Sequence, residues 1–169
     1  MRPLSHRIIT ASVAVLASAP PVGIVGAVLG STIPDMDIRL GIPHRTWTHW
    51  WPLSVFPAVL FWFSPFEGIL PDVRTGLFWF FVGAFLHIVE DSTTVSGVPL
   101  LSPRGRRFSF RLTKTGGTLE KVLVAGCLVA VLVDLWPVLS PGAHRVASMV
   151  RAGDFSVVSV IHGVLSGVL

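Results

Sequence analysis

The stretch IITASVAVLASAPPVGIVGAVLGSTI, residues 8–33, carries no charged side chain, and how it is read decides the fold. As one straight helix it would exceed the roughly 30 Å hydrocarbon core of a bilayer. Pro20 and Pro21 interrupt it. Proline cannot continue a helix interior and pushes the preceding residue out of the α region, so two short helices joined near Ala19 to Val22 are expected, a re-entrant hairpin. The rival reading is a signal peptide, since Arg2 and Arg7, an apolar run and Ala17-Ser18-Ala19 imitate its three regions. Pro20 directly after the apparent cleavage site, and an apolar run that continues past it, argue against that.

Outward from this stretch the pattern repeats. Trp47 to Phe66 is apolar and rich in Trp and Phe, as segments near a membrane interface often are. Gly76 to Val89 follows and ends on Glu90-Asp91, and Val122 to Leu139 is broken only by Asp134. Val157 to Leu169 is too short to span alone and is expected to pack against the others or lie at the interface. Of the 169 residues 51% are hydrophobic and 13% charged, with mean hydropathy +0.72, whereas soluble domains carry about a quarter charged residues. The expected class is all-α, a polytopic membrane protein with four or five membrane-embedded helical elements. No repeat or polar linker divides it, so residues 1–169 are read as one domain.

The net charge of +4 and a pI near 10.6 would suggest nucleic acid in a soluble protein. Here Arg104, Arg106, Arg107, Arg111, Lys114 and Lys121 cluster between two apolar stretches, as in a juxtamembrane loop facing anionic lipid, and no nucleic-acid partner is expected. With residues 8–33 as a hairpin, these six share one side with Arg2, Arg7, Arg39 and Arg45, against Arg74 in the 67–75 loop. The positive-inside rule puts that side in the cytoplasm. Cys127 is the single cysteine, so any metal must be held by nitrogen and oxygen.

Polar residues adjoin the apolar segments in three places: Pro34-Asp35-Met36-Asp37 with His44-Arg45-Thr46-Trp47-Thr48-His49, then His87-Ile88-Val89-Glu90-Asp91, and His6 before the first apolar run. His87 and Asp91, four apart on a helix, project from one face a turn apart. Asp35 and Asp37 lie in an irregular segment where both carboxylates can turn toward one centre. Imidazole with carboxylate suits zinc and also manganese or iron, and an unpaired carboxylate at membrane depth is costly. Each residue has a plainer explanation: a His87–Asp91 hydrogen-bonded pair at a helix end, Asp35 as a helix N-cap, His44 and His49 as interfacial histidines beside Trp47, Trp50 and Trp51. Taken together they point to a shared metal site.

Gly30-Ser-Thr-Ile-Pro-Asp-Met-Asp37, His44-Arg-Thr-Trp-Thr-His49, Gly83-Ala-Phe-Leu-His-Ile-Val-Glu-Asp91 and Gly97-Val-Pro-Leu-Leu-Ser-Pro103 resemble, in order, the motifs of the YdjM-type inner-membrane metal-dependent hydrolases. The likeness covers about residues 4–125 and extends to His6 and to Thr115-Gly116-Gly117-Thr118-Leu119-Glu120. Glu90 stands where that family usually has a small or apolar residue, and Ser102 replaces an aromatic. The family is distantly similar to zinc-dependent phospholipases C and nucleases, so the resemblance implies a bacterial inner-membrane enzyme cleaving a phosphoester of a membrane lipid or lipid phosphate. His6, Asp35, Asp37, His44, His49, His87 and Asp91 are the expected ligands of two or three divalent ions, zinc first and manganese as an alternative. Such ions activate a water for attack.

Arg45 and the Arg104 to Arg111 loop are candidates to hold phosphate oxygens, the loop being equally readable as a positive flank. Glu120 is a candidate general base or outer carboxylate, with a helix-cap partner as the plain alternative. The competing function is a non-catalytic membrane protein that binds or passes metal ions or protons through the same residues. Intramembrane proteolysis is not supported, because no His-Glu-x-x-His run occurs.

Overall fold

The computed structural model describes residues 1–63 and 70–151; the apolar segment 157–169 lies outside them. The proline pair breaks the first apolar stretch as its chemistry dictates. Helix α1 spans Pro3–Leu16, and α2 spans Pro21–Gly30 with Pro21 in its first turn, where the missing N–H costs nothing. A short α3, Met36–Leu40, follows and is closed by Gly41 at φ 67°. The expected helix from Trp47 begins later: Trp47–His49 is a single 3-10 turn, and α4 runs Pro52–Phe63. Helix α5, Pro71–Ser92, starts before Gly76 and continues through Glu90 and Asp91. Those acids stay helical because His6 and Thr10 of α1 contact Glu90 and Arg45 contacts Asp91. A two-stranded antiparallel hairpin, β1 Val98–Pro99 with β2 Arg107–Phe108, precedes α6, Thr118–Arg151.

Among the described residues two helical segments are long and apolar enough to cross a membrane, Pro71–Ser92 and Thr118–Pro141; α1, α2 and α4 are apolar but shorter. The distribution of burial also departs from that of a water-soluble protein. Phe63 is 75% exposed and Val133 68%, while His6, Asp37, His49, His87 and Asp91 are buried. Water would favour the reverse, and a hydrocarbon solvent removes the penalty on the outer apolar side chains.

Residues cluster into two compact units, Met1–Leu128 and Val129–Leu169, and every candidate site residue belongs to the first. Within it α2 and α4 pack on α5, and α1 packs on both α2 and α5. The α2–α5 seam is made of glycine. A Cβ at Gly30 would fall inside the Phe80 carbonyl, and one at Gly83 inside the carbonyl of Ala27. Only glycine permits this backbone approach, which is how helices associate where no hydrophobic effect drives them together. The seam brings the end of α2 against His87.

Candidate metal centre

Asp35 occupies the N-cap position of α3, yet its side chain makes no capping hydrogen bond. Its Oδ1 instead lies 3.7 Å from His49 Nε2 and 3.5 Å from His87 Nε2. Burial opposes ionisation of Asp35, but the nearness of the His49 and His87 rings outweighs it and holds the carboxyl well below the usual range.

Asp37 is fully buried and accepts three hydrogen bonds, from His44 Nδ1 at 2.8 Å, the Arg45 backbone N–H at 3.1 Å and Thr48 Oγ1 at 2.7 Å. Burial raises its pKa, and the Thr48, His44 and Arg45 bonds lower it further than burial raises it. The loop 44–48 is therefore wound around one carboxylate, with Arg45 in the left-handed region at φ 60°. Thr48 relays this order: its hydroxyl gives its proton to Asp37 and lies 3.1 Å from His49 Nδ1, from which it can accept. Burial lowers the pKa of His49, so its ring is held neutral.

On α5 the Nδ1–H of His87 donates to the Ser31 carbonyl at 2.7 Å, across the glycine seam. On α1 the His6 Nδ1–H donates to Glu90 Oε2 at 2.7 Å. The His6 and His87 rings stack 3.7 Å apart. With Nδ1 committed as a donor, each ring presents a lone pair on Nε2. The Nε2 atoms of His6, His49 and His87 are all buried without a hydrogen-bond partner among the described residues. Groups in that condition are rare in folded proteins and call for an explanation.

Their spacing supplies one. His6 Nε2 lies 3.4 Å from Asp91 Oδ1, and His49 Nε2 and His87 Nε2 lie 3.7 and 3.9 Å from Asp91 Oδ2. These separations exceed an ordinary N–H···O bond. Two atoms bonded to one tetrahedral ion at about 2.0–2.1 Å stand about 3.3–3.4 Å apart. Among the described residues two groups have ligand atoms mutually within 4.8 Å: His6, His87 and Asp91, and Asp35, His44 and His49. The donor set, imidazole Nε2 with carboxylate oxygen, fits divalent zinc or manganese. An Nδ1–H fixed by a carboxylate or carbonyl is the outer arrangement that metal-binding histidines use.

The remaining candidates have other occupations. The Arg45 guanidinium is buried and meets Asp91 Oδ2 at 2.7 Å, Thr94 Oγ1 and the Gly97 carbonyl. Asp91 Oδ1 also meets the Met1 amine at 2.6 Å. Glu120 accepts from Ser5 Oγ and the Arg2 N–H on one oxygen and from the Gly116 N–H on the other, tying the start of α6 to α1. Within the basic loop, Arg107 donates to the His44 carbonyl at 3.2 Å. Glu90, Ser31 and Thr48, which orient the rings, were not among the expected site residues. The only hint in the sequence was Glu90, as an extra acid in an otherwise uncharged helix.

A family model described as YdjM inner membrane protein matches residues 1–161. No curated protein and no solved structure matches the chain.

Proposed function

The chain belongs to the YdjM inner membrane protein family, and from that premise we propose that it is a membrane-bound metal-dependent hydrolase acting on a phosphoester of a lipid-type substrate. One observation carries the proposal: three buried, unpartnered imidazole nitrogens converge on the carboxylates of Asp35 and Asp91. In this reading His6, His87 and Asp91 hold one divalent ion, and Asp35, His44 and His49 hold a second. Zinc is the first choice and manganese the alternative. Bound there, the ions would polarise a phosphoryl oxygen and lower the pKa of a water toward about 7.

The chain's own residues supply the order. Asp37 fixes the orientation of His44 and, through Thr48, of His49. Glu90 and the Ser31 carbonyl fix His6 and His87. Arg45 balances the charge of Asp91 and holds it toward the histidines. In this reading the site faces the cytoplasm in a multi-pass protein, supported by the basic residues around it and the positive-inside rule.

A carrier would use similar ligands, but it needs a polar trail through the membrane. Phe78 to Leu86, the part of α5 leading away from His87, is apolar or glycine, which favours the enzyme. The test is detergent-purified protein analysed for metal and assayed against phospholipids and isoprenoid phosphates. About two ions per chain, hydrolysis that stops on chelation and returns with zinc or manganese, and loss of turnover in His49→Ala are expected. Metal flux in proteoliposomes without turnover of any lipid phosphate would favour the carrier.

A further inference from the structure

A cavity of about 220 Å³ opens beside the metal centre, between the start of α1, the end of α2 and α3. Arg7 and Arg39 line it, with Ser31, Thr32, Asp35 and Ile38. Asp35 belongs to both places: it lines the cavity, and its Oδ1 faces His49 and His87. Ser31 does too, since its carbonyl holds the His87 ring.

The lining carries two cationic side chains, Arg7 and Arg39, and one carboxylate, Asp35, whose Oδ1 faces His49 and His87. Neither Arg7 nor Arg39 forms an ion pair among the described residues, although Arg45 close by is fully engaged. The Ser31 and Thr32 hydroxyls give their protons to the Val28 and Leu29 carbonyls. The side-chain donors left to a guest are therefore two guanidinium forks, which match phosphate oxygens in geometry and charge. The volume is below that of a drug-sized pocket, about 300 Å³ at least, so it takes a head group rather than a whole lipid. Ile38, one of the lining residues, is 63% exposed and offers an apolar edge for a tail.

We propose that this cavity is the head-group subsite and that it selects a terminal, dianionic phosphate, a phosphomonoester or diphosphate carried on an amphiphile, over a phosphodiester. The inference rests on the proposed metal centre, whose ion takes up the charge of Asp35, but not on turnover. The two cations then left, Arg7 and Arg39, are balanced by a terminal phosphate, which carries nearly two charges above its second pKa near 6, whereas a phosphodiester carries one. The phosphorus would then sit beside Asp35. In the reaction, water adds to the terminal phosphorus, its P–O bond to the lipid oxygen of a monoester or to the bridging oxygen of a diphosphate breaks, and that leaving oxygen takes a proton. A monoester then yields inorganic phosphate and an alcohol; a diphosphate yields inorganic phosphate and the lipid monophosphate.

The test is equilibrium binding by full-length protein in detergent at about pH 8, where a phosphomonoester is dianionic. The probes are mixed micelles of phosphatidic acid, mixed micelles of phosphatidylglycerol, and free inorganic phosphate and pyrophosphate. Wild-type protein should bind phosphatidic acid about tenfold or more tightly than phosphatidylglycerol. Arg7→Gln/Arg39→Gln should lose about tenfold for the former at unchanged metal content, and Arg7→Lys/Arg39→Lys should recover part of it. Free phosphate or pyrophosphate bound as tightly as phosphatidic acid would keep the dianion preference and assign it to a soluble source. Arginine-dependent binding without turnover of any probe would uphold the subsite and remove the hydrolase reading. Equal binding of the two lipids, or wild-type binding by the glutamine variant, would overturn the subsite. Should the glutamine variant lose its metal, the lysine variant decides: it must bind phosphatidic acid more tightly than phosphatidylglycerol for the subsite to stand.

Discussion

At the scale of the residue, Asp37 is the organising group of the loop that carries His44 and His49. Removing its carboxylate leaves three donors facing a buried space, where hydrogen bonds to a charged group each contribute about 1.5–3 kcal/mol. Asp37→Ala is expected to destabilise the protein by about 3 kcal/mol and to lower metal content, read by thermal unfolding and elemental analysis of one preparation. Unchanged stability would mean that the loop keeps its form without the carboxylate. Acidity offers a second check. Ligand nitrogens must be unprotonated to bind metal, and Asp35 and Asp37 stay ionised far into acid because their pKa values are lowered. His49, also lowered, stays neutral below the usual histidine range. The ion held by the group that contains His49 should therefore survive dialysis at stepped pH through about pH 6.5, the ordinary histidine value, and be lost only in more acid buffer. Loss of all metal well above that value would contradict the lowered His49. The spacing of His87 and Asp91, and the grouping of Asp35 with His44 and His49, were readable because the ligand types stand close in the chain. The partners that fix the rings were not. Ser31 meets His87 through its backbone, which no side-chain pattern encodes, and Glu90 meets His6 across 84 positions of sequence.

At the scale of the element, the two prolines made the break between α1 and α2 legible, because proline acts on its own backbone whatever surrounds it. The start of α4 was not legible. An apolar run looks the same whether its first residues are helical or, as here, bent into the 3-10 turn that carries His49. The glycine seam between α2 and α5 gives the element-scale prediction. Gly83→Leu must push the helices apart, since even a Cβ there collides with the Ala27 backbone. The expected result is a loss of about 1–3 kcal/mol, the usual cost of overpacking, together with loss of metal, because the Ser31 carbonyl is drawn away from His87. Gly126→Ala in α6 is the control: nothing lies within 4 Å of a Cβ there, and alanine should be neutral or stabilising by about 0.5–1 kcal/mol. A wild-type melting temperature in Gly83→Leu would show that the seam is not rigid.

At the scale of the whole molecule, the α1–α2 hairpin brings residues 29 positions apart to one level. His6 stacks on His87, and His87 reaches Asp35. A single crossing by residues 8–33 would instead separate His6 from Asp35 by about 30 Å. Leu4 and Leu40 are exposed at the two ends of this arrangement. Single cysteines placed there in a Cys127→Ser background should react with an impermeant reagent from the same side, the cytoplasmic one; labelling from opposite sides would remove His6 from the site.

The hairpin also sets an order in time. Thr10, Ser12 and His6 are buried among partners that include Glu90, and Glu90 leaves the ribosome more than fifty residues after Ile33. At roughly 5–20 residues per second that is a wait of about 3–11 s. For a hairpin embedded in the membrane, the polar side chains would meanwhile have nothing from α5 to receive them. The expected consequence is that α1 and α2 stay sheltered in the insertion machinery until α5 is made.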